Sequence, residues 1–231
     1  MKNRIILAAA AAFLLGLAPA AHAVPTLSFS VDGGAAMTTC ADGAGCDINP
    51  NAGVVTFIQS LGDFTVNVTT GLSKPVLTGD GPVLDLNTVN VQILGGAHTL
   101  QIKFSDTGFN TPGGRITTTY GGTLSGTGAS MEYGAYYDVG NALFVEGSPV
   151  GTEYYSGSGA FSGSGDGGWS PDAPYSLTQI LTLTSGGGTT VFSGDFSVNV
   201  PEPGTLALLG LALLGLAAAY RRRVPARASR R

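Results

Sequence analysis

The chain reads as an all-β protein, with one antiparallel β-sandwich of jelly-roll-like type between two apolar terminal segments. Three observations predict this. Between Val24 and Val200, short runs alternate apolar and polar residues, and no helical period is sustained. Clusters of Gly, Asp, Asn and Pro punctuate those runs. Both ends carry apolar stretches flanked by basic residues, unlike the middle. The chain therefore divides at 1–23, 24–200 and 201–231.

The first piece is built as a signal peptide. Lys2 and Arg4 precede an apolar run from Ile5 to Leu17, and Pro19 ends any helix there. Ala21 and Ala23 place small residues at both ends of a cleavage site, with Val24 as the new N-terminus. The run is too short for a membrane span, which needs about 20 residues. His22 leaves with the peptide, so His98 is the only histidine of the mature chain.

In the middle piece the expected strands are 53–59, 64–70, 83–94, 99–105, 114–121, 131–137, 141–146, 175–184 and 189–200. Its length suits eight to ten strands in one domain. Gly95-Gly96 is expected to close a hairpin that sets Val91 opposite Leu100 and Val89 opposite Ile102, with His98 opposite Ile93 on the apolar side. A second hairpin is expected to turn at 185–188 and to set Leu181 opposite Phe192 and Leu177 opposite Phe196. The Ser/Gly-rich stretch 157–168 has little to bury and reads as a flexible surface loop.

Charge separates the pieces further. Lys74, Lys103 and Arg115 are the only strong bases of the middle piece and stand against fourteen carboxylates, a net charge of −11. Such a domain repels phosphate backbones, which excludes nucleic acid as a partner. Cys40 and Cys46 bracket a Gly-containing loop, and a pair of cysteines in an exported chain is expected to form a disulfide. Asp32, Asp42, Asp47, Asp106, Asp166 and Asp172 lie in Gly- and Asn-rich stretches. Oxygen ligands for a structural Ca²⁺ can converge there, and solvated turn carboxylates are the alternative. No cofactor and no other metal site is expected, and His98 reads as a structural or rim residue. Aromatic residues gather at Tyr120, Tyr133, Tyr136, Tyr137, Tyr154, Tyr155, Trp169 and Tyr175. They serve either as core and sheet packing or as stacking surfaces for sugars.

The last piece has three parts in a fixed order. Pro201, Glu202 and Pro203 form an extended, protease-accessible stretch. An apolar helix of about 16 residues follows at roughly 205–220, about 24 Å long. Arg221, Arg222 and Arg223 then hold the C-terminus in the cytoplasm. This Pro-Glu-Pro, helix and arginine cluster resembles the PEP-CTERM sorting signal of exosortase substrates. The resemblance covers about a tenth of the chain. It implies a Gram-negative cell with a biofilm or exopolysaccharide programme. It also implies an exosortase, a cysteine-peptidase-like membrane enzyme that cuts near Pro-Glu-Pro.

The expected protein is thus a non-enzymatic component of the cell envelope or extracellular matrix. The secretion machinery delivers it, the inner membrane holds it transiently with its domain in the periplasm, and an exosortase sends it to the cell surface or medium. Two alternatives stand beside this: an exopolysaccharide-binding module and a secreted hydrolase.

Overall fold

The computed structural model describes residues 24–77, 82–111, 113–172 and 174–200; the side chains of Val68, Thr69, Pro82 and Trp169 are outside the description. The expected signal peptide with Ala21 and Ala23, the motif Pro201, Glu202 and Pro203, the apolar run and Arg221, Arg222 and Arg223 all lie outside the described residues. Among the described residues no helix is long and apolar enough to cross a membrane.

Twelve strands form two antiparallel six-stranded sheets. They are β1 (Thr26–Val31), β2 (Thr38–Ala41), β3 (Val54–Leu61), β4 (Phe64–Leu72), β5 (Pro82–Ile93), β6 (Ala97–Phe109), β7 (Arg115–Ser125), β8 (Ser130–Asp138), β9 (Ser148–Ser156), β10 (Gly159–Trp169), β11 (Tyr175–Gly186) and β12 (Thr190–Asn199). The first sheet has the order β2-β1-β6-β11-β8-β9 and the second β10-β7-β12-β5-β4-β3. Each strand turns alternate residues inward, as β12 shows with Phe192, Phe196 and Val198 buried. The two inner faces meet in one core. Phe29 of β1 stacks on Phe57 of β3 at 4.3 Å, and Tyr133 of β8 stacks on Phe196 of β12 at 4.6 Å. Both contacts join one sheet to the other.

Both expected hairpins are corrected. β5 pairs with β12 and β4, whereas β6 pairs with β11 and β1. The chain therefore crosses between sheets at Gly95-Gly96, and again at 185–188 between β11 and β12. Val89, Val91, Leu100 and Ile102 are all buried, as are Leu177, Leu181, Phe192 and Phe196, but they face each other across the core rather than along a ladder. Alternation fixes which face of a strand is apolar, and a hairpin and an inter-sheet arch satisfy it equally. His98 accordingly lies beside Ser185 of β11, not Ile93. Residues 141–146, expected as a strand, form a loop, while β1, β2, β9 and β10 were not expected from the sequence.

The largest correction is the Ser/Gly-rich stretch. It is not a flexible loop: β10 pairs with β7 along nearly its whole length. Its glycines alternate, and Gly163, Gly165 and Gly167 turn toward β9 of the opposite sheet. A Cβ on Gly165 would lie 2.8 Å from the Cα of Gly151, and one on Gly167 would lie 2.6 Å from the Cα of Val150. A Cβ on Gly163 would meet the Tyr120 ring. The two edge strands thus close one side of the sandwich at backbone contact, which only a Cβ-free face permits.

One polar side chain is built into the core. Gln179 of β11 is fully buried, and its Nε2 lies 3.2 Å from the Phe196 carbonyl, 3.3 Å from the Tyr133 hydroxyl and 3.5 Å from the Leu84 carbonyl. Phe196 adjoins a bulge where the β5–β12 register shifts. Its amide nitrogen thus reaches from β11 to carbonyls of the opposite sheet, while its Oε1 is buried without a hydrogen-bond partner among the described residues.

Candidate functional site

The carboxyl end of the domain leads directly into the tail. Asn199 still pairs with Thr117 of β7 and Pro82 of β5, and Val200 is 1% exposed. Four residues, 201–204, then precede the apolar run, and they reach at most about 14 Å. The amino end emerges on the same side. Thr26 lies opposite Ser105, and Tyr175 lies opposite Phe109 at the end where β12 finishes.

Charges near this end are committed to structure. Asp106 is completely buried. Its Oδ2 accepts from the Ser73 hydroxyl at 2.5 Å and from Lys74 Nζ at 3.2 Å, and its Oδ1 accepts from the Thr107 amide. Burial lowers the Lys74 pKa, and Asp106 partly offsets this. The Lys74 ammonium also lies 3.5 Å from the Phe109 ring centre. Ser73 is itself fully buried, whereas the Lys74 side chain is about a third exposed. Lys103 pairs with Glu146 at 2.8 Å and Arg115 pairs with Asp166. Every base among the described residues therefore has an acidic partner. No local pattern announces the Ser73–Lys74–Asp106 group, because Ser73 and Asp106 lie 33 residues apart and meet only through the β4–β5 connection.

The carboxylates considered for Ca²⁺ are dispersed, and five of the six have other partners. Asp47 accepts from the amides of Gly43, Asn49 and Thr56, and Asp42 accepts from Gly53. Cys40 and Cys46 are joined beside them, with Cα atoms 5.8 Å apart. Asp32 and Asp63 flank the His98 ring at 3.0 and 3.4 Å, one at each nitrogen. The Thr99 amide, then His98, hold the Asp32 carboxyl below its usual range. Asp106 and Asp166 are paired as above, and Asp172 is exposed. Among the described residues no three His, Cys, Asp or Glu side chains converge on a metal position.

The aromatic cluster of the sequence is split by the pleat. Tyr133 and Tyr175 are fully buried, and Tyr120, Tyr137 and Tyr155 pack against the core. Trp169 ends β10 opposite Arg115. Tyr136 and Tyr154 lie on the outer face of the first sheet. A Cβ on Gly134 would sit 2.7 Å from the Tyr136 ring and its hydroxyl, so the hydroxyl end of the ring lies over that glycine.

The loop after β8 crosses this outer face. Ser176 Oγ donates to the Ala142 carbonyl at 2.7 Å, the Phe144 amide donates to Ser105 Oγ at 3.1 Å, and Lys103 holds Glu146. Phe144 (φ 63°) and Asn141 (φ 55°) adopt left-handed backbone conformations. On one side of the loop is a groove of about 330 Å³ lined by Ser28, Ser30, Gln101, Lys103 and Phe144. On the other is one of about 110 Å³ lined by Gln101, Glu132, Tyr136, Glu146 and Thr182. A third depression holds Glu132, Thr152 and Tyr154. Gln101 is common to the first two and Glu132 to the last two.

Residues 199–223 match the model of the PEP-CTERM protein-sorting motif, so the chain carries that motif at its C-terminus. No curated protein matches the chain. Among solved structures, the chain is similar to TmCBM61 in complex with β-1,4-galactotriose. The two are 12% identical with a TM-score of 0.36, over 60% of this chain and 82% of that one. It is also similar to the CBM22-1 xylan-binding domain of Xyn10C from Paenibacillus barcinonensis, at 10% identity and a TM-score of 0.32 over 66% and 88% of the chains. A third is the CBM36-1 domain of a xylanase from the Trinervitermes trinervoides hindgut metagenome, at 13% identity and a TM-score of 0.26 over 49% and 79%.

Proposed function

We propose that this chain is an exported component of the cell envelope or extracellular matrix, sorted by an exosortase through its C-terminal motif. The observation that carries the reading is the motif match at residues 199–223, contiguous with a β-sandwich that ends at Val200. The apolar run holds the protein briefly in the inner membrane with its domain in the periplasm. Cutting near Pro201, Glu202 and Pro203 then releases it toward the cell surface. The domain works without catalysis: Ser73 and Asp106 of its Ser–Lys–Asp group are buried, and most of its candidate carboxylates are engaged by amides and bases. A second reading, binding of an exopolysaccharide, is favoured by one observation, the aromatic-lined polar groove on the first sheet.

The mass of the C-terminal peptide of the native protein tests the sorting reading. The expected peptide ends near Pro203 and lacks Arg221, Arg222 and Arg223. Recovery of an intact arginine tail from the mature protein means a lasting membrane anchor and sinks the reading.

A further inference from the structure

We propose that the outer face of the first sheet, on both sides of the 139–147 loop, is a binding site for a neutral polysaccharide segment; this rests on the exopolysaccharide-binding reading and names its site and ligand class. The three depressions form one row through their shared residues Gln101 and Glu132. That row crosses β1, β6, β11, β8 and β9, whose order in the sheet is unbroken. At strand spacings of about 4.8 Å it spans roughly 19 Å, room for several consecutive sugar rings.

Its floor and walls match the two sides of a pyranose. The hydroxyl end of the Tyr136 ring lies over Gly134 on the outer face, and the half-buried ring is a stacking surface for a sugar's C–H groups. Phe144, in the loop itself, supplies a second ring to the depression on its other side. Its φ of 63° is a conformation a bulky side chain rarely adopts, and three hydrogen bonds from the sheet and its margin, by Ser176, Ser105 and Gly108, hold the loop that imposes it. Core packing does not require this strain, since the ring is on the outer face. Between the rings, Gln101, Thr182 and Glu132 present donors and acceptors for hydroxyl groups.

Charge selects the class of glycan. The row's carboxylates, Glu132, Glu146 and Glu153, stand beside a single base, Lys103, which Glu146 already engages at 2.8 Å. The middle piece as a whole carries −11. Uronate, sulfated or phosphorylated polymers are repelled, and neutral hexose or pentose polymers are not.

The full chain in detergent micelles is tested by affinity electrophoresis against neutral polymers (galactan, xylan, mixed-linkage glucan), anionic ones (alginate, polygalacturonate) and the matrix polymer of the producing cell. Retardation by at least one neutral polymer is expected, and none by the anionic ones. Tyr136→Ala, Tyr136→Leu and Phe144→Gly should each weaken retention at least tenfold, whereas Thr119→Ala on the opposite sheet should not. Phe144→Gly also relieves the positive φ, and an unchanged melting temperature shows that loss of binding is not loss of fold. Preference for anionic polymers overturns the ligand class. Binding to any polymer that withstands both the Tyr136 and Phe144 substitutions overturns the groove while the exopolysaccharide reading stands. Failure to bind any of them overturns both.

Discussion

At the scale of single residues, Asp85 shows how the sandwich tolerates charge. It lies on the outer face of the second sheet, close to Asp195, and burial is the main cause of a pKa raised to about 6. The Asn87 side chain opposes this shift and the Asp195 charge adds to it. The native state therefore prefers the protonated acid, against an ordinary value near 3.9. Stability from this preference is fully present below about pH 4 and is lost as pH rises through about 6. Replacing Asp85 by Asn removes that loss. After allowance for partial exposure, Asp85→Asn should stabilise the domain by about 1 kcal/mol at pH 7.5 and by nothing at pH 4, as read by urea denaturation at the two pH values. Equal effects at both pH values would show that the carboxyl is not the source. His98 makes the complementary point. Sequence placed it at a turn, but its two carboxylate neighbours come from the β1–β2 and β3–β4 connections, and no local pattern announces them.

Among the elements, β10 is the most informative. Read by composition, its glycines and serines mark a linker, because they have little apolar surface to bury. Read by period, they alternate, and the period of two is that of a strand. The inward glycines let β9 and β10 approach, while Ser162, Ser164 and Asp166 face out. Gly165→Val should thus cost about 2–3 kcal/mol, because a side chain there meets the Thr118 hydroxyl at 2.7 Å and the Gly151 Cα at 2.8 Å. Ser164→Thr, one residue away, should change stability by less than about 0.5 kcal/mol. Chemical denaturation of the pair checks this, and equal tolerance at both positions would mean that the edge is open. β9 is interrupted by Pro149 and Gly151 and gains its place from pairing with β8, whereas β1 carries its own period of two in Leu27, Phe29 and Val31.

At the scale of the whole molecule, β12 joins fold to sorting. It is central in the second sheet, between β7 and β5, and it is the last element before the motif. A chain ended after Val200 should keep the melting temperature of the processed protein to within about 2 °C. One ended after Ser193 removes Phe196 and Val198 from the core and should fail to fold cooperatively. Thermal unfolding followed by circular dichroism compares the two, and cooperative unfolding of the shorter chain would sink the claim.

The sequence alone determined the all-β class, the inward faces of most strands, the acidic charge and the C-terminal motif. Each is written locally: alternation with a period of two, a count of ionisable groups, and a contiguous run of Pro-Glu-Pro, apolar residues and arginines. Tertiary structure alone decided which sheet each strand joins, that β10 is a strand, and that Ser73, Lys74 and Asp106 meet. Alternation records only whether a side chain faces in or out. Choosing among the partners that satisfy it depends on packing between segments far apart in the chain, and that choice exists only once both sheets are formed.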